Sequence, residues 1–139
     1  MSSEPVLRLE LPIRTVSEAN LREAWYVRMR RKQAQQRVVA QHLGPLGRPE
    51  PPLVITLTRV ATRQLDSDNL AGAHKHVRDA IARWLGLDDG DPRLTWRYAQ
   101  ERVNGKAWFS VFTRAGKMSR AHVVRTRLEI AYRPTVCTQ

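Results

Sequence analysis

Asp66 and Asp68 stand two residues apart, and Asp88, Asp89 and Asp91 follow one short helix later. With Asp79 they are every aspartate the chain owns, gathered in LDSDNLAGAHKHVRDAIARWLGLDDGD, residues 65–91. Side chains at i and i+2 of an extended segment point the same way, so the Asp66 and Asp68 carboxylates can converge on one point. Like charges that close raise each other's pKa unless a cation sits between them. The chemistry this spacing suggests is the holding of a hard divalent cation. Helix capping and turn chemistry account for Asp68 and Asp91 without a ligand. Asp66 is placed too early to cap, and capping does not explain why the acids cluster.

The rest of the chain sharpens the contrast. It holds 24 Lys and Arg against 13 Asp and Glu, a formal net charge of +11. Residues 66–91 carry six Asp against Lys75, Arg78 and Arg83, a net of −3, so the remainder stands at +14. A surplus of that size points to a polyanionic partner. One acidic spot in a basic chain suits an enzyme that binds phosphates broadly and holds a metal locally. No apolar run approaches a membrane span, MSSEPVLRLE lacks the core of a signal peptide, and the lone Cys137 excludes an internal disulfide. A cytoplasmic location is expected.

The elements that must position these residues follow from periodicity. Residues 6–11 alternate as an outer strand. Thr15 and Glu18 have capping-box spacing, which predicts a helix from about Glu18 to His42. Its stripe would be Leu21, Trp25, Met29, Val38, Val39 and Leu43. GPLGRPEPP (44–52) is a surface loop, and residues 52–61 read as a central strand. Leu70, Ala73, Val77, Ala80, Ile81, Trp84 and Leu85 recur at helical spacing, so Asn69 to Leu85 is one amphipathic helix with Gly86 as its stop. Two β-rich runs around Asn104–Gly105 predict a hairpin. Residues 114–122 read as a basic loop, and residues 123–132 as a strand with Val124, Thr126, Leu128 and Ile130 on one face. The order β-α-β-α-β-β-β predicts a single α+β domain, a mixed sheet with two main helices packed on it.

An EF-hand would need an acceptor, a Gly and a carboxylate where Leu70, Ala71 and Val77 stand. A haloacid-dehalogenase phosphatase also begins strand-D-x-D, but needs a larger doubly wound sheet and a Thr or Val where Leu70 stands. Asp66-Ser67-Asp68-Asn69-Leu70, then Lys75 and Asp79, then Leu87-Asp88-Asp89, resembles the core of the RusA-type Holliday junction resolvases. The motif-bearing part is residues 64–91, and the stretch from Leu70 to Lys75 is about three residues longer than in the best-known members.

The resemblance implies a RusA-like fold and a homodimer that cuts four-way DNA junctions with Mg²⁺, Mn²⁺ being an acceptable substitute. Carried over by motif, the ligands are Asp66, Asp68 and Asp89, with Asp88 as an alternate ligand and Lys75 near the scissile phosphate. Each of two sites per dimer would nick one strand, and aspartates from a loop or from the partner would complete one site. Asp79 would pair with Lys75 at i,i+4, and Asp91 belongs to the turn. Arg22, Arg28, Arg31, Arg37, Arg114, Lys117, Arg120, Arg125 and Arg127 would track phosphates along the junction arms. His74 and His76, which lack partners at zinc spacing, are expected at the surface or facing phosphate; Trp25 and Trp96 could wedge into DNA, but a place in the core is the favoured expectation for each. The alternative is a non-catalytic basic DNA-binding protein whose aspartates are structural.

Overall fold

Three alternating segments and one nearly continuous apolar run build the sheet. The structure, a computed structural model, describes residues 7–18, 21–103, 108–112, 118–122 and 124–134, with 108–112 and 118–122 as backbone only. Strand β1 (Leu7–Leu11) lies at one edge, antiparallel to β6 (Arg125–Tyr132). β6 is in turn antiparallel to β2 (Leu53–Ala61), and β2 runs parallel to β3 (Leu94–Arg102), giving the order β1-β6-β2-β3. β2 is thus central, as its β-branched apolar run predicts. The fold is α+β, a four-stranded mixed sheet with three helices.

All three helices serve one face. Leu53, Ile55 and Leu57 of β2 and Leu128 and Ile130 of β6 are fully buried with Val39 and Leu43 of helix α1 (Trp25–Leu43) and Val77 and Ile81 of helix α3 (Lys75–Leu85). Thr126, on the same face of β6, is buried and donates its hydroxyl to the Ile13 carbonyl at 3.0 Å. Period-two alternation puts Arg125, Arg127 and Glu129 on the opposite, open face. There Arg125 and Arg127 both hold Glu10 of β1, at 2.9 and 2.8 Å, and Arg127 also reaches Glu101 of β3 at 2.8 Å. Cross-strand charge pairs of this kind stabilise a solvated sheet face.

Six local expectations need correction. Helix α1 begins at Trp25, seven residues late, and Ala24 caps it without any side-chain bond. Thr15 is buried in an extended segment, and Glu18 is drawn to Arg31 and His76 instead of folding back on a capping box. The stripe of α1 is Gln35, Val39 and Leu43, while Leu21, Trp25 and Met29 are exposed. Length explains this: α1 has 19 residues and the α3 it packs on has 11, about 28 Å against about 16 Å, so the first turns of α1 extend beyond the layer.

The expected helix from Asn69 to Leu85 is two: α2 (Ser67–Ala73) and α3, broken at His74. Gly86 ends α3 in the left-handed region (φ 72°), its N–H bonded to the Arg83 carbonyl. Among the described residues β3 makes no hairpin with the next strand. Its ladder runs to β2, and β4 (Trp108–Phe112) pairs antiparallel with β5 (Met118–His122) as a separate ribbon. The segment expected as a basic loop therefore supplies a strand. Asn104 and Gly105, with Arg114 and Lys117, lie outside the described residues, as does the side chain of Arg120.

Candidate metal and phosphate site

The parallel pairing of β2 and β3 dictates where the aspartates go. A parallel connection must carry the chain from the C-terminal end of one strand back to the N-terminal end of the next. Asp66 and Asp68 therefore follow the exit of β2, and Asp88, Asp89 and Asp91 precede the entry of β3, at opposite ends of the crossover. Breaking the helix at His74 does not bring them together. Among the described residues no three His, Cys, Asp or Glu side chains form a group able to hold a metal ion.

At the first end, Asp66 is the N-cap of α2: its Oδ1 accepts the Asn69 N–H at 2.9 Å. The expectation that Asp66 sits too early to cap is corrected, because the helix starts two residues sooner than its apolar periodicity suggests. Asp68 sits in the first turn instead of capping, exposed, without hydrogen bond or ion pair among the described residues. Ser17 donates to Asn69 Oδ1 at 2.8 Å, tying the segment after β1 to this turn. Because Asp68 is helical, the expectation that an extended segment points both carboxylates the same way is corrected; each still has a free oxygen, and Mg²⁺, which keeps several waters, takes only one or two carboxylates.

Lys75 opens α3, exposed, and makes no ion pair with Asp79 among the described residues. With Glu18, Arg28, Gly72 and His76 it lines an open pocket of about 290 Å³. Glu18 is the hub here, 2.6 Å from His76 Nε2 and 3.4 Å from Arg31. Arg31 also grips Glu23 with two hydrogen bonds of 2.7 and 2.8 Å, which lowers the Glu23 pKa and raises its own. His74 is no surface group. It is fully buried, stacked on Tyr98 at 5.6 Å, and its Nδ1 is 2.9 Å from the Leu70 carbonyl. Burial, with Arg59 nearby, lowers its pKa to about 4, so the ring is neutral and Nδ1 carries the proton donated to Leu70.

At the other end, Asp79, Asp88 and Asp89 line an open pocket of about 390 Å³ with Arg83, Gly86 and Leu87. Asp88 Oδ1 accepts the Gly90 N–H at 3.2 Å, and Asp91 takes three bonds from Arg93, which hold its pKa down to about 2. Asp91 is a turn residue, as expected. Asp89 is held by Arg78, a residue the sequence reading passed over. The guanidinium lies 4.9 Å from the Trp96 ring, donates to Tyr98 Oη at 2.9 Å and to the Asp89 carbonyl at 3.1 Å, and sits 3.1 Å from Asp89 Oδ2. Trp96 Nε1 donates to the same carbonyl at 2.8 Å, so Trp96 is half-buried against the core with a structural task. The available signal was that Arg78 is one of only three basic residues in the acidic window.

The arginines expected on DNA divide. Arg28, Arg31, Arg125 and Arg127 are engaged in ion pairs within the chain, the last two on the open sheet face. Arg22 and Arg37 are exposed and have no carboxylate partner among the described residues. No protein-family model and no curated protein matches the chain. The functional reading therefore rests on the residues and their placement.

Proposed function

We propose that the protein is a metal-dependent, structure-selective endodeoxyribonuclease that resolves four-way DNA junctions by paired symmetric nicks. The carrying observation is Asp68: exposed, two residues after Asp66, and, like Lys75 on the next helix, without a hydrogen bond or ion pair among the described residues. In a chain of net charge +11, Asp68 has no structural task among the described residues, and Asp66 spends only Oδ1 on its cap. A bound Mg²⁺ would be held by Asp66 and Asp68 and would supply a water activated for attack on phosphorus. Lys75 places its ammonium against the phosphate and stabilises the charge that grows on it. Asp89, fixed by Arg78, and Asp88 stand at the other end of the crossover, so their part in the same site requires a second copy of the chain. That separation supports the reading of a homodimer with two sites, one nick from each giving symmetric resolution.

A second reading has its own support. Asp66 caps a helix, Asp88 and Asp91 shape a turn, and Asp89 pairs with Arg78, which suits a non-catalytic basic DNA-binding protein. One assay separates the two: purified protein with a synthetic four-way junction and a linear duplex, in Mg²⁺ and in EDTA. Metal-dependent nicks in the junction alone, lost in Asp68→Asn while binding persists, are expected. Junction binding with no cutting in Mg²⁺ or Mn²⁺ decides for the second reading.

A further inference from the structure

The first turns of α1 carry a surface that the described residues leave exposed. Trp25 is 74% exposed, Tyr26 50%, Met29 42% and Leu21 37%. The two rings meet edge to face, centroids 6.3 Å apart at 84°, and the Arg30 guanidinium lies 5.6 Å from the Tyr26 centroid. Tyr26 precedes the buried Gln35 by two and a half turns, which places it on the side of the helix away from the core. An aromatic pair this exposed marks an interaction site more often than chance.

Charge selects the occupant. Helix α1 contains Arg28, Arg30, Arg31, Lys32 and Arg37 and no acid, and the acids just before it, Glu18 and Glu23, are held by Arg31 and Arg28. Arg22, Arg30, Lys32 and Arg37 keep their charge without a carboxylate partner among the described residues. A second copy meeting this face across a two-fold axis would set like charge against like charge. A polyanion that also offers flat, uncovered rings satisfies both halves of the surface. Bases inside a duplex have their faces covered by their neighbours, so the rings must come from unpaired bases.

We propose that Trp25 and Tyr26 are a stacking platform for unpaired DNA bases, with Arg22 and Arg30 meeting the adjoining phosphates. The inference rests on the nuclease reading only in taking DNA as the polyanion, and it specifies the substrate as one with unstacked bases, at a branch point or in a single strand. Stacking of a base on an aromatic side chain is sequence-tolerant and strong enough to change affinity about tenfold when the ring is removed.

The test is fluorescence anisotropy with the full chain in EDTA, where cleavage plays no part. The probes are a labelled single-stranded oligonucleotide, its duplex, and a four-way junction, each read with the parent, Trp25→Ala, Trp25→Phe and Tyr26→Ala. We expect Trp25→Ala to weaken single-strand binding about tenfold, with duplex binding within about twofold and Trp25→Phe retaining most of the affinity. A parallel loss on the junction assigns the platform to the branch point; an unchanged junction affinity assigns it to single strands. Unaltered single-strand affinity in Trp25→Ala, or an equal loss on duplex, overturns the proposal. So does a parent dimer that sediments as a monomer in Trp25→Ala, which would give the face to a second copy. A protein that binds but never cuts junctions removes the nuclease reading and leaves this result standing.

Discussion

Asp66 and Asp68 are two positions apart and differ in what their removal costs. Replacing a capping Asp by Ala destabilises by about 1 kcal/mol, so Asp66→Ala should lower the midpoint of chemical denaturation. Asp68 is exposed and makes no hydrogen bond or ion pair among the described residues, and Asp68→Asn should stay within about 0.5 kcal/mol of the parent while abolishing metal-dependent nicking. Denaturation and junction cleavage, run on both variants, test this; a stable Asp66→Ala would remove the cap from the account. His74 gives a pH dependence with a defined sign. Its folded pKa of about 4 lies below the ordinary 6.5, so between those values the unfolded chain binds the extra proton. The stability tied to the neutral ring is present in full above pH 6.5 and drains away as pH falls toward 4. Unfolding free energies across that window should fall with acid in the parent and fall less in His74→Phe, which keeps a ring against Tyr98 but cannot titrate. Equal slopes in the two proteins would assign the acid sensitivity to other groups.

Gly72 and Gly86, one inside α2 and one at the end of α3, make opposite demands on their elements. Gly86 ends α3 at φ 72°, where an L side chain is strained although its nearest neighbour, Arg48, leaves room at 3.8 Å. Gly86→Ala should therefore cost about 1 kcal/mol through backbone conformation alone. Gly72 lies inside α2 with nothing within 4 Å of an added Cβ. Gly72→Ala should stabilise by roughly 0.5–1 kcal/mol. Melting temperatures of the two variants should move in opposite directions, and movement in the same direction would mean that α2 is not helical at residue 72. The break between α2 and α3 was invisible to periodicity, because Leu70, Ala73 and Val77 keep their spacing across it. Gly86 was legible because a left-handed helix end admits few residues other than glycine.

At the scale of the molecule the crossover keeps the two aspartate groups at opposite ends of one chain. With Asp66 and Asp68 at one end and Asp88 and Asp89 at the other, the proposed site joins one chain's first pair to the partner's second. Asp68→Asn and Asp89→Asn, each inactive alone, should recover part of the nicking activity when mixed and allowed to exchange subunits, because one site of each mixed dimer is intact. No recovery would confine the active carboxylates to a single pair. Much of this was in the sequence. Strand alternation, the apolar run of β2 and the amphipathic stripe of α3 are local consequences of which residues can face a core, and they sufficed for the α+β class. The clustering of aspartates in a basic chain was equally plain. Tertiary structure decided what depends on partners far along the chain. Glu18 left its capping box for Arg31 and His76, Arg78 took hold of Asp89, and β3 chose β2 over the next strand. It also left Trp25 outside because α3 is too short to cover α1. Local patterns record each residue's preference for water or core, whereas ion pairs, strand neighbours and helix overlap are set by distances that exist only after the chain has folded.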